Sequence, residues 1–132
     1  AGAVELQFLN FPDAPPPPPT AAYSHAVRAG DHLFVTGQLG VDPITNQLVA
    51  GGIVAQTRQV MQNLQTVLRG AGTNLDRTVM ARVYLTDFSN YAVMNAEYAR
   101  HFAPGRLPAR TTVGVTGLAL GGAVEIDLIV RP

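Results

Sequence analysis

Two charged side chains sit where apolar segments least tolerate them. Arg110 lies at the mouth of Pro108-Ala109-Arg110-Thr111-Thr112-Val113-Gly114-Val115, and Glu125 interrupts Ala123-Val124-Glu125-Ile126-Asp127-Leu128-Ile129-Val130. A carboxylate inside a strand is costly to bury unless it is paired, hydrogen-bonded or protonated. An arginine nearby can clamp a substrate carboxylate through two parallel hydrogen bonds. The pair points to a site for a small acid. Taken singly, each has a plainer reading: Arg110 as a solvated strand end, Glu125 as the partner of a structural arginine.

Other chemistries are poorly served. All nine basic residues are arginine, so no lysine is present to form a Schiff base or anchor pyridoxal phosphate. Cysteine is absent, which removes thiolate nucleophiles, disulfides and zinc–thiolate sites. His25, His32 and His101 lack the spacing of a metal pair, and no metal or cofactor is expected. The glycine-rich stretch Gly114 to Gly122 has no following lysine and leads into a strand, so it is not a phosphate loop. Ser24 and Ser89 lack the context of an acyl-transfer nucleophile. Tyr23 can aim a phenol at a ligand or simply pack.

The elements that must position these residues follow from pattern. The 132 residues suffice for one domain. Residues 1–20 hold the run Pro15 to Pro19 and read as an extended surface arm, whose removal is expected to leave the fold of 21–132 intact. Tyr23 to Arg28 and His32 to Gly37 flank Gly30-Asp31 as a hairpin, and Leu39 to Gly52 is a loop. Ile53, Val60, Met61, Leu64, Val67 and Leu68 share one helical face over about 53–69, with Gly70 and Gly72 as its stop. Thr78 to Thr86 reads as a strand with Val79, Ala81, Val83 and Leu85 on one side. A second helix spans Tyr91 to about Phe102. The segments carrying Arg110 and Glu125 close the chain as adjacent strands. The order β-β-α-β-α-β-β predicts an α+β fold, a mixed sheet with both helices on one face.

Only 14% of residues are charged, against roughly 25% in an ordinary domain. A sheet with one bare face and little surface charge is expected to oligomerise. Net charge is zero, so no basic field favours nucleic acid. No signal-peptide pattern or long apolar span appears; a cytoplasmic protein without membrane partners is expected.

From Tyr23 to Val130 the chain resembles the reactive intermediate deaminase (RidA/YjgF) family, whose members also carry an L-PSP endoribonuclease description. The resemblance rests on Tyr23-Ser24-His25-Ala26-Val27, Leu33-Phe34-Val35-Thr36-Gly37-Gln38, Asp42-Pro43, Gly51-Gly52-Ile53, Gln56-Thr57 and Asn63-Leu64. It continues through Val83-Tyr84-Leu85-Thr86-Asp87, Met94-Asn95, Tyr98, Phe102, Pro108-Ala109-Arg110 and Val124-Glu125-Ile126. It implies a chorismate-mutase-like homotrimer whose sheets form a central barrel, with clefts between subunits. It also implies hydrolysis of 2-imino or enamine acids to 2-oxo acids and ammonia. By position, Arg110 would hold the substrate carboxylate, Glu125 the attacking water, and Tyr23 would line the site from the neighbouring subunit. Thr36, Gly37 and Thr112 would contact the reacting region, and Asn95 would line the site. Thr36 replaces a common serine, Thr112 a cysteine of some members, and Thr20-Ala21-Ala22 a Gly-Pro-Tyr approach; the last change bears on substrate choice. Two other readings fit the same residues: a relative acting on a different small imine or aminoacrylate-like acid, and a non-catalytic trimer that binds small carboxylates. Ribonuclease activity finds no basic patch and no acid/base pair in this sequence.

Overall fold

A computed structural model describes residues 5–132; residues 1–4 of the expected arm lie outside them. Six strands form one mixed sheet: β1 (Leu6–Leu9), β2 (Ala26–Ala29), β3 (His32–Leu39), β4 (Thr78–Leu85), β5 (Ala109–Gly114) and β6 (Val124–Val130). Their spatial order is β1-β2-β3-β6-β4-β5, and all pairs are antiparallel except β4 with β5. Helices α1 (Gly52–Gly70) and α2 (Tyr91–Ala99) cover one face. The α+β mixed sheet is therefore as expected, with β1 added at one edge.

Alternation explains which side is buried. Val124, Ile126, Leu128 and Val130 of β6 are at most 1% exposed, while Glu125, Asp127 and Ile129 point the other way. On α1, Val60, Met61, Leu64, Val67 and Leu68 recur at helical spacing and are fully buried against that strand face. The helix ends where Gly72 adopts φ 79°, a left-handed turn that lets the Thr73 N–H bond Leu68 O. α2 stops at Ala99, short of the expected Phe102; Phe102 still packs on Tyr98, ring centroids 4.9 Å apart. The helices are joined by Glu97, only 5% exposed, which accepts from Arg58 at 3.0 Å and contacts His101 Nε2 at 2.8 Å. Burial pushes its carboxyl up, but the hydrogen bonds from His101 and Arg58 outweigh that and hold it below the usual range.

Two bulges break the simple alternation. Pairing of β4 with β6 slips between Thr78 and Met80, so Val79 stands 47% exposed instead of joining Ala81, Val83 and Leu85 in the core. Pairing of β3 with β6 slips between Val35 and Gln38, leaving Thr36 and Gly37 as the irregular stretch. The sheet face away from the helices is bare, with Phe34 46% and Val113 41% exposed.

The N-terminal arm is built into the sheet and core. Its strand β1 pairs with β2 from Leu6↔Ala29 to Leu9↔Ala26. Ala14 is 1% exposed, and the Phe11 ring lies against Gly70 so closely that a Cβ there would overlap it. His25, 2% exposed, fastens the turn: Phe11 N–H donates to Nδ1 at 2.9 Å, and Nε2 meets Pro15 O at 2.8 Å. The first contact makes Nδ1 an acceptor, so Nε2 carries the proton it donates to Pro15. Asn10 Oδ1 accepts from the His25 backbone N–H at 3.2 Å. Among the described residues, no helix is long and apolar enough to cross a membrane.

Candidate active site

The β3 bulge brings four of the expected site residues together. Tyr23, Thr36, Gly37 and Glu125 line one cavity of about 520 Å³. Glu125 pairs with Leu39 on one side and Tyr84 on the other, which directs its side chain to the bare face. There it lies flat over Gly37: a Cβ at that glycine would stand 2.7 Å from Oε2 and 2.9 Å from Cδ. Only a residue without a side chain permits that approach. The Thr36 hydroxyl donates to Ser24 O, holding the segment that leads from Tyr23. Tyr23 is 51% exposed at the cavity wall.

Burial is the main cause of a raised Glu125 pKa, and the negative charge of Asp127 adds to it. Asp127 is itself occupied, accepting from Arg82 Nε at 2.7 Å and the Tyr84 hydroxyl at 2.9 Å. Glu125 has no arginine partner among the described residues, so the structural ion-pair reading finds no support here.

Arg110 is elsewhere. β4 lies between β5 and β6, so the strands carrying Arg110 and Glu125 are not neighbours, contrary to the sequence expectation. Parallel pairing sets Arg110 beside Ala81 and Thr112 beside Val83, both on the helix-covered face, opposite Glu125. Arg110 Nη2 donates to the Tyr91 hydroxyl at 2.8 Å, and its Cζ stands 4.8 Å from the Tyr98 ring centroid and 5.6 Å from that of Tyr91. Burial pushes the Tyr98 phenol up to about 12, against the opposing pull of Arg110. Asn95 lies four residues from Tyr91 and three from Tyr98, on the α2 face that carries both. The Thr112 and Tyr98 hydroxyls are buried with no hydrogen-bond partner among the described residues. The expected residues thus fall into two groups, Tyr23-Thr36-Gly37-Glu125 and Asn95-Arg110-Thr112. Tyr23, expected to reach the site from a neighbouring subunit, lines the cavity of its own chain's Glu125.

Sequence reasoning missed Tyr91, the partner of Arg110; an aromatic pair seven residues apart on α2 was the available signal. It also missed Leu120 and the prolines, which line the Glu125 cavity. His25 borders that cavity too, yet both of its ring nitrogens are engaged by backbone. Among the described residues, no group of three or more His, Asp or Glu side chains gathers as a metal site would require.

The family model described as Endoribonuclease L-PSP matches residues 14–131. The crystal structure of RidA from an Antarctic Psychrobacter superposes with a TM-score of 0.87 at 36% identity, covering 96% of this chain and 99% of that one. The chain belongs to the RidA/YjgF family. RidA/YjgF relatives include a RutC family protein of Pyrococcus horikoshii, 41% identical over 113 residues, 86% of this chain and 89% of the relative. The 2-iminobutanoate/2-iminopropanoate deaminase of mouse is 37% identical over 107 residues, 81% of this chain and 78% of the mouse protein.

Proposed function

We propose that the protein is a hydrolytic deaminase that converts 2-imino or enamine acids to 2-oxo acids and ammonia, at sites completed by two copies of the chain in a homotrimer. The observation that carries this is the Glu125 carboxylate, held over Gly37 in a cavity and kept proton-avid by burial. The mouse relative's named activity supports the reaction class.

The protonated imine is already electrophilic at the carbon of its C=N bond, so a water needs only orientation and a base. Glu125 takes a proton from that water as its oxygen bonds to carbon, and the C=N π pair goes to nitrogen, giving a carbinolamine. Return of the proton from Glu125 to the amine releases ammonia as the C–N bond breaks, and the hydroxyl proton passes to the re-ionised Glu125, and from it to the departing ammonia, as the ketone forms. A carboxylate with a raised pKa suits both transfers near neutral pH, and such general acid–base help is worth roughly 10²–10⁴ in rate. Arg110 holds the substrate carboxylate as a bidentate clamp, which fixes the reacting carbon.

Within one chain Arg110 and Glu125 occupy opposite faces of the sheet, so the clamp that serves a given Glu125 comes from a neighbour. The bare face with Phe34 and Val113 gives that neighbour an apolar surface to cover. The test is complementation. Arg110→Ala and Glu125→Gln each lose activity in an assay that follows loss of semicarbazide-trapped imine. Co-refolded at equal amounts, they regain about one quarter of wild-type sites, the random chance that an intact Glu125 meets an intact Arg110 across an interface. A mixture as inactive as its parents would refute shared sites. Wild type that accelerates loss of no imine would refute the deaminase.

A further inference from the structure

Five consecutive prolines are an odd choice for a mere tether, and the structure gives them a place. Pro15, Pro16 and Pro18 line the same cavity as Glu125. One end of the run is tied to the body, Pro15 O receiving His25 Nε2–H at 2.8 Å, and the other closes on itself in a turn, Pro18 O accepting the Ala21 N–H at 2.8 Å. A proline run is also stiff by itself, so the wall is formed before any ligand arrives.

Its chemistry is one-sided. Proline has no backbone N–H, so this wall offers no main-chain donor to an anion. The Pro15 and Pro18 carbonyls are already occupied, leaving mostly ring methylenes for contact. Leu120 lines the cavity as well, 68% exposed and held at φ 59°, ψ 14°. A leucine in the left-handed region is unusual, because its Cβ crowds the carbonyl; such positions cluster at functional sites. Asn46, the other described non-glycine residue with positive φ, lines the cavity too.

We propose that the proline run and Leu120 form the side-chain pocket of the site and select acids with apolar branched or aromatic side chains over those bearing a second carboxylate. This rests on the deaminase reading for its reacting group. Two features act together: apolar contact favours a bulky hydrocarbon, and a side-chain carboxylate laid against the prolines would face the Glu125 carboxylate across a wall that has no main-chain N–H to offset the repulsion. His25 is then a positioning residue that holds the wall and takes no part in proton transfer.

The experiment has two arms. In the first, imines generated in situ from leucine, phenylalanine and glutamate by amino-acid oxidases are compared by kcat/KM. Wild type is expected to favour the first two by at least tenfold, the low end of the roughly 10–200-fold that even one methylene gains in a fitted apolar pocket. Leu120→Asn, whose side chain tolerates the left-handed backbone, and the double variant Pro16→Ser/Pro18→Ser should each reduce that ratio about tenfold. An equal preference in wild type, or a ratio unmoved in both variants, overturns the proposal. The second arm measures calorimetric binding of 4-methyl-2-oxopentanoate, phenylpyruvate and 2-oxoglutarate. If wild type turns over no imine yet binds the two apolar acids selectively and Leu120→Asn does not, the deaminase reading falls and the pocket stands. Equal binding of the three acids, or no binding of any, overturns the pocket.

Discussion

Replacing Gly37 with alanine asks whether the position of one carboxylate matters more than the fold around it. Gly37 does not lie among the positive-φ glycines, so its backbone accepts alanine without conformational penalty. The new Cβ would instead meet Glu125, at 2.7 Å from Oε2, 2.9 Å from Cδ and 3.0 Å from Cγ. To reach the 3.4 Å of an ordinary contact, Oε2 must retreat by about 0.7 Å, and it can do so by turning about its own side-chain bonds. Stability should change by less than about 1 kcal/mol, since the lower entropy of unfolded alanine offsets part of the crowding. Catalysis is less forgiving: a misplacement near 1 Å costs about 10²-fold in rate, or about 2.7 kcal/mol of barrier. The measurements are kcat/KM by imine trapping and thermal unfolding on the same sample. Gly40→Ala is the contrasting control, because its Cβ would stand 2.8 Å from the Gln56 backbone, which cannot turn aside; there stability should fall. A double variant, Gly37→Ala/Glu125→Gln, separates displacement of the carboxylate from obstruction of the cavity: it should be no slower than Glu125→Gln alone. A folded Gly37→Ala with near wild-type kcat/KM, or a double variant far below Glu125→Gln, would refute the reasoning.

Glu125 also carries a pH signature. Its folded pKa is raised by burial and by Asp127, so folding favours the protonated form. That stability is fully present below the unfolded pKa of a glutamate and is lost as pH rises through the raised folded value. Glu125→Gln stays neutral throughout, so its melting temperature relative to wild type should climb across that window and then level off; a difference independent of pH would contradict it. Activity should rise over the same window as the base ionises, with its acid limb above the ordinary carboxylate range. Deletion of residues 1–12 removes β1 and the partly buried Leu9 and Phe11. The loss should be about 2 kcal/mol, or roughly 5–10 °C in Tm. An unchanged Tm would restore the view of the arm as a loose appendage.

The parts of this fold that were legible in the sequence are those set by local period. Helical spacing from Val60 to Leu68 and alternation from Val124 to Val130 both reappear as buried faces. What local period cannot carry is order in space. Nothing within Thr78 to Leu85 says that this strand inserts between those bearing Arg110 and Glu125, yet that insertion separates the two. Parity is equally hidden: the bulge at Val79 throws one valine outward from a run that alternates without fault on paper. The strand Leu6–Leu9 escaped because it is four residues long at a sheet edge and its partner contacts come from β2. Arg110 and Glu125 were readable because charge in an apolar strand needs a reason, whichever face it takes; Thr36, Gly37, Asn95 and Thr112 carry no such signal and entered only through the family resemblance.

The bulge in β3 has a consequence for how such a site can change over generations. Val35 faces Leu128 and Gln38 faces Ile126, so three residues on one strand span what two do on the other. Before the bulge the inward residues are Leu33 and Val35; after it, Gln38. One residue gained or lost elsewhere in the strand would reverse that parity and turn core leucines to the open face. Loss of one residue at Thr36-Gly37 would merely restore a regular ladder, with the flanking pairs kept. The floor beneath Glu125 is thus the place in this strand where length itself is negotiable, and inheritance can rewrite the cavity there while the hydrophobic partition of the sheet passes on unchanged.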